Sequence, residues 1–84
     1  MGETFLGDVR AMSLAFAPHG WAQCNGQLLP VAQNRALFSL LGSCYGGDGL
    51  TSFGLPALPP VPAQNGAVLT YCISLGGMYP VQAG

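Results

Sequence analysis

Four of the chain's seven prolines, Pro56, Pro59, Pro60 and Pro62, fall within Leu55–Pro62. Each ring fixes φ and removes a backbone donor, so this run can be neither a helix nor a central strand. It is expected to run extended in a polyproline-like form. Its backbone groups cannot satisfy one another, so it must lie on a surface or dock to a partner. It also divides the chain into residues 1–56, a Pro- and Gly-rich connection at 57–67, and a closing strand and tail at 68–84. With 84 residues in all, the three parts make one small domain with a limited core.

Thirteen glycines break up the rest. Only Gln33–Leu41 has helical spacing, with Leu37, Leu40 and Leu41 recurring and Ala36 and Phe38 widening the apolar face. Gly42 is placed to end that helix, and Asn34 can cap it if it starts one residue later. Gly7–Phe16 carries apolar residues on both parities, as a strand covered on both sides would, with a partner chain as one candidate cover. Trp21–Cys24 and Gln27–Leu29 flank Asn25-Gly26, the strongest short hairpin signal, because a type I′ turn needs two residues at positive φ. In Ala67–Leu75, Leu69, Tyr71, Ile73 and Leu75 alternate with Val68, Thr70, Cys72 and Ser74, the best strand pattern in the chain. Met78-Tyr79-Pro80-Val81 is expected to be an extended tail. The fold class is therefore α+β: a small single domain, mostly β-strands and loops with one short helix.

Charge narrows the function. Glu3, Asp8, Arg10, Arg35 and Asp48 are the only charged residues, while half of the chain is hydrophobic. An ordinary domain has about a quarter of its residues charged. A nearly uncharged, partly apolar surface associates, so burial against other chains explains the composition better than a poorly soluble monomer does. The chain has no lysine and no basic cluster, which argues against nucleic acid. No apolar run approaches the roughly 20 residues needed to insert across a bilayer, and Met1–Gly7 lacks the features of a secretory signal. Synthesis in the bacterial cytoplasm is expected.

Candidate chemical groups are few. Cys24, Cys44 and Cys72 are far apart and show no zinc spacing, so buried free thiols are the expected state, with one disulfide plus a spare thiol as the other possibility. His19 paired with one of them could form a nucleophile and base, but the spacing and apolar neighbours give no support, and no enzyme is expected. Gly46-Gly47-Asp48-Gly49 lacks the Lys and Ser or Thr of a phosphate-binding loop and has too few oxygens for calcium. A tight turn whose Asp48 accepts from backbone amides fits it better. Neither cofactor nor metal is expected. Trp21, Tyr45, Tyr71 and Tyr79 could stack on sugars, although such aromatics more often anchor cores and interfaces.

Several strings in order carry a resemblance. They are Gly7-Asp8-Val9-Arg10; Phe16-Ala17-Pro18-His19-Gly20-Trp21-Ala22-Gln23-Cys24-Asn25-Gly26-Gln27-Leu28-Leu29-Pro30; Gln33-Asn34; Ala36-Leu37-Phe38-Ser39-Leu40-Leu41-Gly42; Tyr45-Gly46-Gly47-Asp48-Gly49; and Phe53-Gly54-Leu55-Pro56. Over roughly residues 3–58 the chain resembles the phage tail collar domain, a family that includes tail-fibre proteins and bacterial proteins called microcystin-dependent. The resemblance implies a component of a virion or injection particle, commonly trimeric in fibres, with no catalytic residues to carry over. Its partners would be copies of itself and other tail or baseplate proteins, with a host glycan as the alternative.

Where longer members continue after Leu-Pro with Asp-Leu-Arg-Gly-Arg and a glycine-rich region, this chain has Ala57-Leu58-Pro59-Pro60. It thus resembles a shortened member without the distal insertion, which favours an adaptor, plug or attachment role. Leu55, Leu58 and Val61 of the run, with Met78 and Tyr79 of the tail, are the candidate interface. Asn25, Gly26, Gly46, Gly47, Asp48 and Gly49 are the candidate structural turns. Gly26→Val is expected to lower the melting temperature, since a β-branched residue resists positive φ at the Asn25-Gly26 turn.

Overall fold

The computed structural model describes residues 4–13 and 17–79. The elements are β1 (Val9–Met12), β2 (Trp21–Gln23), β3 (Leu28–Pro30), α1 (Arg35–Leu41), β4 (Ser52–Gly54), β5 (Val61–Pro62) and β6 (Val68–Ser74). One short helix among several strands is the expected α+β class. Residues Leu14–Phe16 of the expected first strand, and Pro80 and Val81 of the expected tail, lie outside the described residues.

The alternating segment 67–75 becomes β6, and the main sheet is built around it. β1 pairs antiparallel along one side, from Val9 opposite Ile73 to Met12 opposite Thr70. β2 pairs antiparallel on the other, from Trp21 opposite Ser74 to Gln23 opposite Cys72. Near its start β6 also receives β5, with Val61 opposite Leu69. Burial follows this pairing: Val68 is exposed, whereas Cys72, Ile73 and Ser74 are buried. The buried Ser74 hydroxyl is satisfied by donating to the Gly76 carbonyl at 2.6 Å.

The chain enters β1 through a bulge. Asp8 N–H bonds the Phe5 carbonyl at 3.1 Å, closing a turn with Gly7 at φ 85°. Gly7 N–H then bonds the Ser74 carbonyl while Ser74 N–H bonds the Asp8 carbonyl, so two residues oppose one. A glycine at positive φ in the first bulge position is what this arrangement requires. Within the chain β1 is an edge strand with Val9, Arg10 and Ala11 exposed, rather than one covered on both faces.

The expected hairpin at Asn25-Gly26 does not form. β2 pairs with β6 and β3 pairs with β4, in separate sheets. Among the described residues none but glycine has positive φ, so Asn25 cannot supply the first position of a type I′ turn. Instead the Asn25 side chain accepts from Gln27 N–H at 3.1 Å, and the chain bends without reversing. Beyond the bend it keeps one register with a later segment. Leu58 N–H bonds the Cys24 carbonyl, Asn25 bridges Ala57, and Leu28, Leu29 and Pro30 face Gly54, Phe53 and Ser52. A long pairing to the Pro-rich run and β4 has displaced the local one. The ladder is irregular at Gly26, whose N–H bonds the carbonyl of Pro56, a residue with no N–H to return. Gly26 does sit at φ 83°, so the expected sensitivity of this position to substitution rests on a bend rather than a hairpin.

The helix starts two residues later than expected, at Arg35. Asn34 occupies the cap position, but its amide donates back to the Pro30 carbonyl at 3.0 Å rather than capping the helix. At the other end Gly42 N–H bonds the Phe38 carbonyl at 2.7 Å. Leu37 is buried and Phe38, Leu40 and Leu41 pack around the core, while Ala36 is exposed. The centre of the core is Phe53, fully buried, with its ring 5.4 Å from that of Phe38. Leu6, Ala22, Cys24, Leu37, Leu55 and Ile73 complete it. Phe53→Ala is expected to cost about 3–5 kcal/mol, a large share of the about 5–15 kcal/mol that holds a domain together. Chemical denaturation would read this as a matching drop in unfolding free energy.

Candidate assembly surface

The glycine-rich loop is ordered by one carboxylate. Asp48 Oδ1 accepts from the N–H groups of Leu50, Thr51 and Ser52 at 2.8, 2.8 and 3.0 Å. Its Oδ2 accepts from the Thr51 hydroxyl at 2.7 Å. Together these bonds, the Ser52 amide first among them, hold the Asp48 carboxyl well below the usual carboxylate range. The loop is thus the tight turn expected from its residues. It also folds back on β4: a Cβ on Gly47 would lie 2.5 Å from the Phe53 Cα, so only glycine allows this approach. Gly54 N–H bonds the Gly46 carbonyl at 2.9 Å, continuing the layer.

The loop displays apolar groups. Leu50, at its tip, is 82% exposed. Tyr45 at its start and Leu28 on β3 are also exposed, and Leu28 lies beside Gly46. Sequence reasoning did not single out Leu28 or Leu50. The signal for Leu50 was its place two residues after an Asp that fixes the backbone around it.

The residues expected at an interface fall in three places. Leu55 is fully buried in the chain's own core, with its N–H on the Gln27 carbonyl at 2.9 Å, so it is not available to a partner. The run lies along Cys24–Gln27, with Leu55 turned into the core. Leu58 is partly exposed and Val61 half-buried, and each is tied by backbone pairing to its own domain. The Pro-rich run is thus stitched along the domain, not a free spacer. Met78 and Tyr79 are exposed, but they also close the fold. Met78 N–H bonds the Thr4 carbonyl and its carbonyl accepts from Leu6 N–H, while the Tyr79 hydroxyl lies 2.6 Å from the Ser39 hydroxyl on α1.

Arg10 pairs with Asp8 at 3.4 Å and its guanidinium lies 5.6 Å from the Trp21 ring centroid. This couples two of the strings quoted above and occupies the tryptophan face. All three cysteines are free; Cys24 and Cys72 are buried and Cys44 is exposed. Burial pushes the Cys24 thiol up, helped by the neighbouring Cys72, and burial alone raises Cys72. Both stay protonated and pack as small hydrophobes. Among the described residues no three His, Cys, Asp or Glu side chains gather as metal ligands.

Because the folded carboxyl of Asp48 titrates below its unfolded value, the loop's stabilisation is present above about pH 4, the ordinary carboxylate value. It is lost as pH falls from there through the folded value. Asp48→Asn should therefore lower the melting temperature at pH 7, and the gap from the parent chain should narrow as pH falls from about 4 towards 2. Calorimetry across that range checks both the gap and its sign.

The family description "Phage Tail Collar Domain" matches residues 7–59, more than half of the chain. Neither the curated proteins nor the solved structures contain a significant match. The matched span runs from the Gly7-Asp8 bulge through α1 and the Asp48 turn to the Pro-rich run, the same strings whose order suggested the resemblance. No helix of the described residues is long and apolar enough to cross a membrane. The collar domain is a structural family of phage tails, and this chain belongs to it.

Proposed function

We propose that this chain is a structural part of a phage tail or contractile-injection particle, working by assembly with copies of itself and with other tail or baseplate proteins. Family membership supports the tail role. The observation that carries the assembly reading is the exposed apolar surface on a chain with five charges. Leu50, Val68, Leu28 and Tyr45 are 82%, 59%, 57% and 52% exposed. Such groups gain little in a monomer and gain roughly 25 cal/mol per Å² when a partner covers them. Leu58 and Val61 mark a second contact, at the place where longer members carry their insertion. A trimer is the copy number that the family resemblance favours.

The glycan reading draws less support. Trp21 lies under Arg10, Tyr71 packs on the core and Tyr79 bonds Ser39, which leaves Tyr45 as the one of these four that is exposed without such an engagement. A glycan array separates the two readings.

The isolated chain is expected to be oligomeric in light scattering at moderate concentration. Leu50→Asp should shift it towards monomer, with stability changed by no more than about 0.5 kcal/mol, as for a surface position. A monodisperse parent monomer would refute assembly through this surface.

A further inference from the structure

β1 ends the main sheet, and its outer edge is open. Ser74 N–H bonds the Asp8 carbonyl, so that carbonyl and the backbone groups of Arg10 and Met12 face β6. By the alternation of an antiparallel ladder, the N–H and C=O groups of Val9 and Ala11 point away from it. Among the described residues no strand pairs with that edge. Sheets usually guard such an edge with charge, proline or a bulge. Here Asp8 and Arg10 flank an exposed Val9. Those two charges repel many strands, but not the same strand reversed. Read antiparallel against itself, acid–valine–base meets base–valine–acid.

We propose that β1 pairs antiparallel with β1 of a second copy about a twofold axis through Val9. Each Arg10 then faces the Asp8 of the other copy, and Val9 faces Val9 with both backbone bonds exchanged. Charge selects this register. An axis through Arg10 would set arginine against arginine, and one through Ala11 would leave both charges unpaired; opposed like charges destabilise a strand pair and opposite charges stabilise it. The result is a continuous sheet in the order β2-β6-β1-β1-β6-β2. A four-residue strand covers far less than the ~1,200–2,000 Å² of a stable interface. The pairing therefore rests on the assembly reading: a twofold pair cannot lie within a trimer, so it joins two trimers and repeats at each of their three copies.

Register-specific cross-linking tests it. In a Cys44→Ser background, which removes the exposed thiol, Val9→Cys sets two thiols at a pair whose Cα atoms lie about 5.5 Å apart, within disulfide reach. Ala11→Cys sets them more than about 13 Å apart, four residues of strand at about 3.3 Å each. With copper-phenanthroline as oxidant, Val9→Cys should form a disulfide-linked dimer and Ala11→Cys should not. Adding Asp8→Arg should abolish the link, and adding Arg10→Asp as well should restore it. Equal linking at both positions, none at Val9→Cys, or linking that survives Asp8→Arg would overturn the proposal. Light scattering on the same samples separates the two readings. An oligomer that does not link at Val9→Cys overturns strand pairing alone; a monomer in the absence of oxidant that nevertheless links overturns the apolar-surface reading alone.

Discussion

Everything in the main sheet depends on the pairing of β6. β1 and β2 do not touch as strands; each finds its backbone partners on opposite sides of Val68–Ser74. Remove that strand and three further strands, β1, β2 and β5, lose their ladders, and Ile73 leaves the core. The burial gradient along β6, from exposed Val68 to buried Ser74, follows where those neighbours lie. The collar match ends at residue 59, so the strand that completes the sheet lies beyond the matched span.

How much of this was legible in the residues depends on the reach of each interaction. Alternation along 68–74, the leucine spacing of α1 and the amide-accepting Asp48 are local patterns, and each appears as read. The Asn25-Gly26 turn was misread because its rule assumes that the nearest segment is the partner. Here the partner is Ser52–Leu58, and nothing within Trp21–Leu29 announces it. Leu55 was misplaced for the same reason: a leucine among prolines looks like surface until the run is seen to lie along Cys24–Gln27. The exposed Leu50 had no periodic signal, since its position follows from the bonds that its own and the next two amides make to Asp48.

The sparse charges have particular tasks. Asp48 is saturated by one turn, and Arg10 joins Asp8 to the face of Trp21. These groups shape a loop and a strand edge, and contribute little to keeping an apolar surface in water. The chain's solubility and its architecture are therefore separate matters: the internal contacts close the fold, and the outer leucines and tyrosines remain for neighbours.

The single register that joins Cys24–Pro30 to Ser52–Leu58 sets an order of events as the chain is made. This ribbon, with α1 and the Asp48 turn between its arms, can close once Leu58 has left the ribosome. β1 and β2 must wait as unpaired strands until β6 follows, and closing such long loops before any contact rewards them is slow. During that interval the apolar residues of the unfinished sheet face solvent. Vectorial synthesis thus lets one ribbon pair before the last strand arrives, and leaves the aggregation hazard in the strands that wait for it.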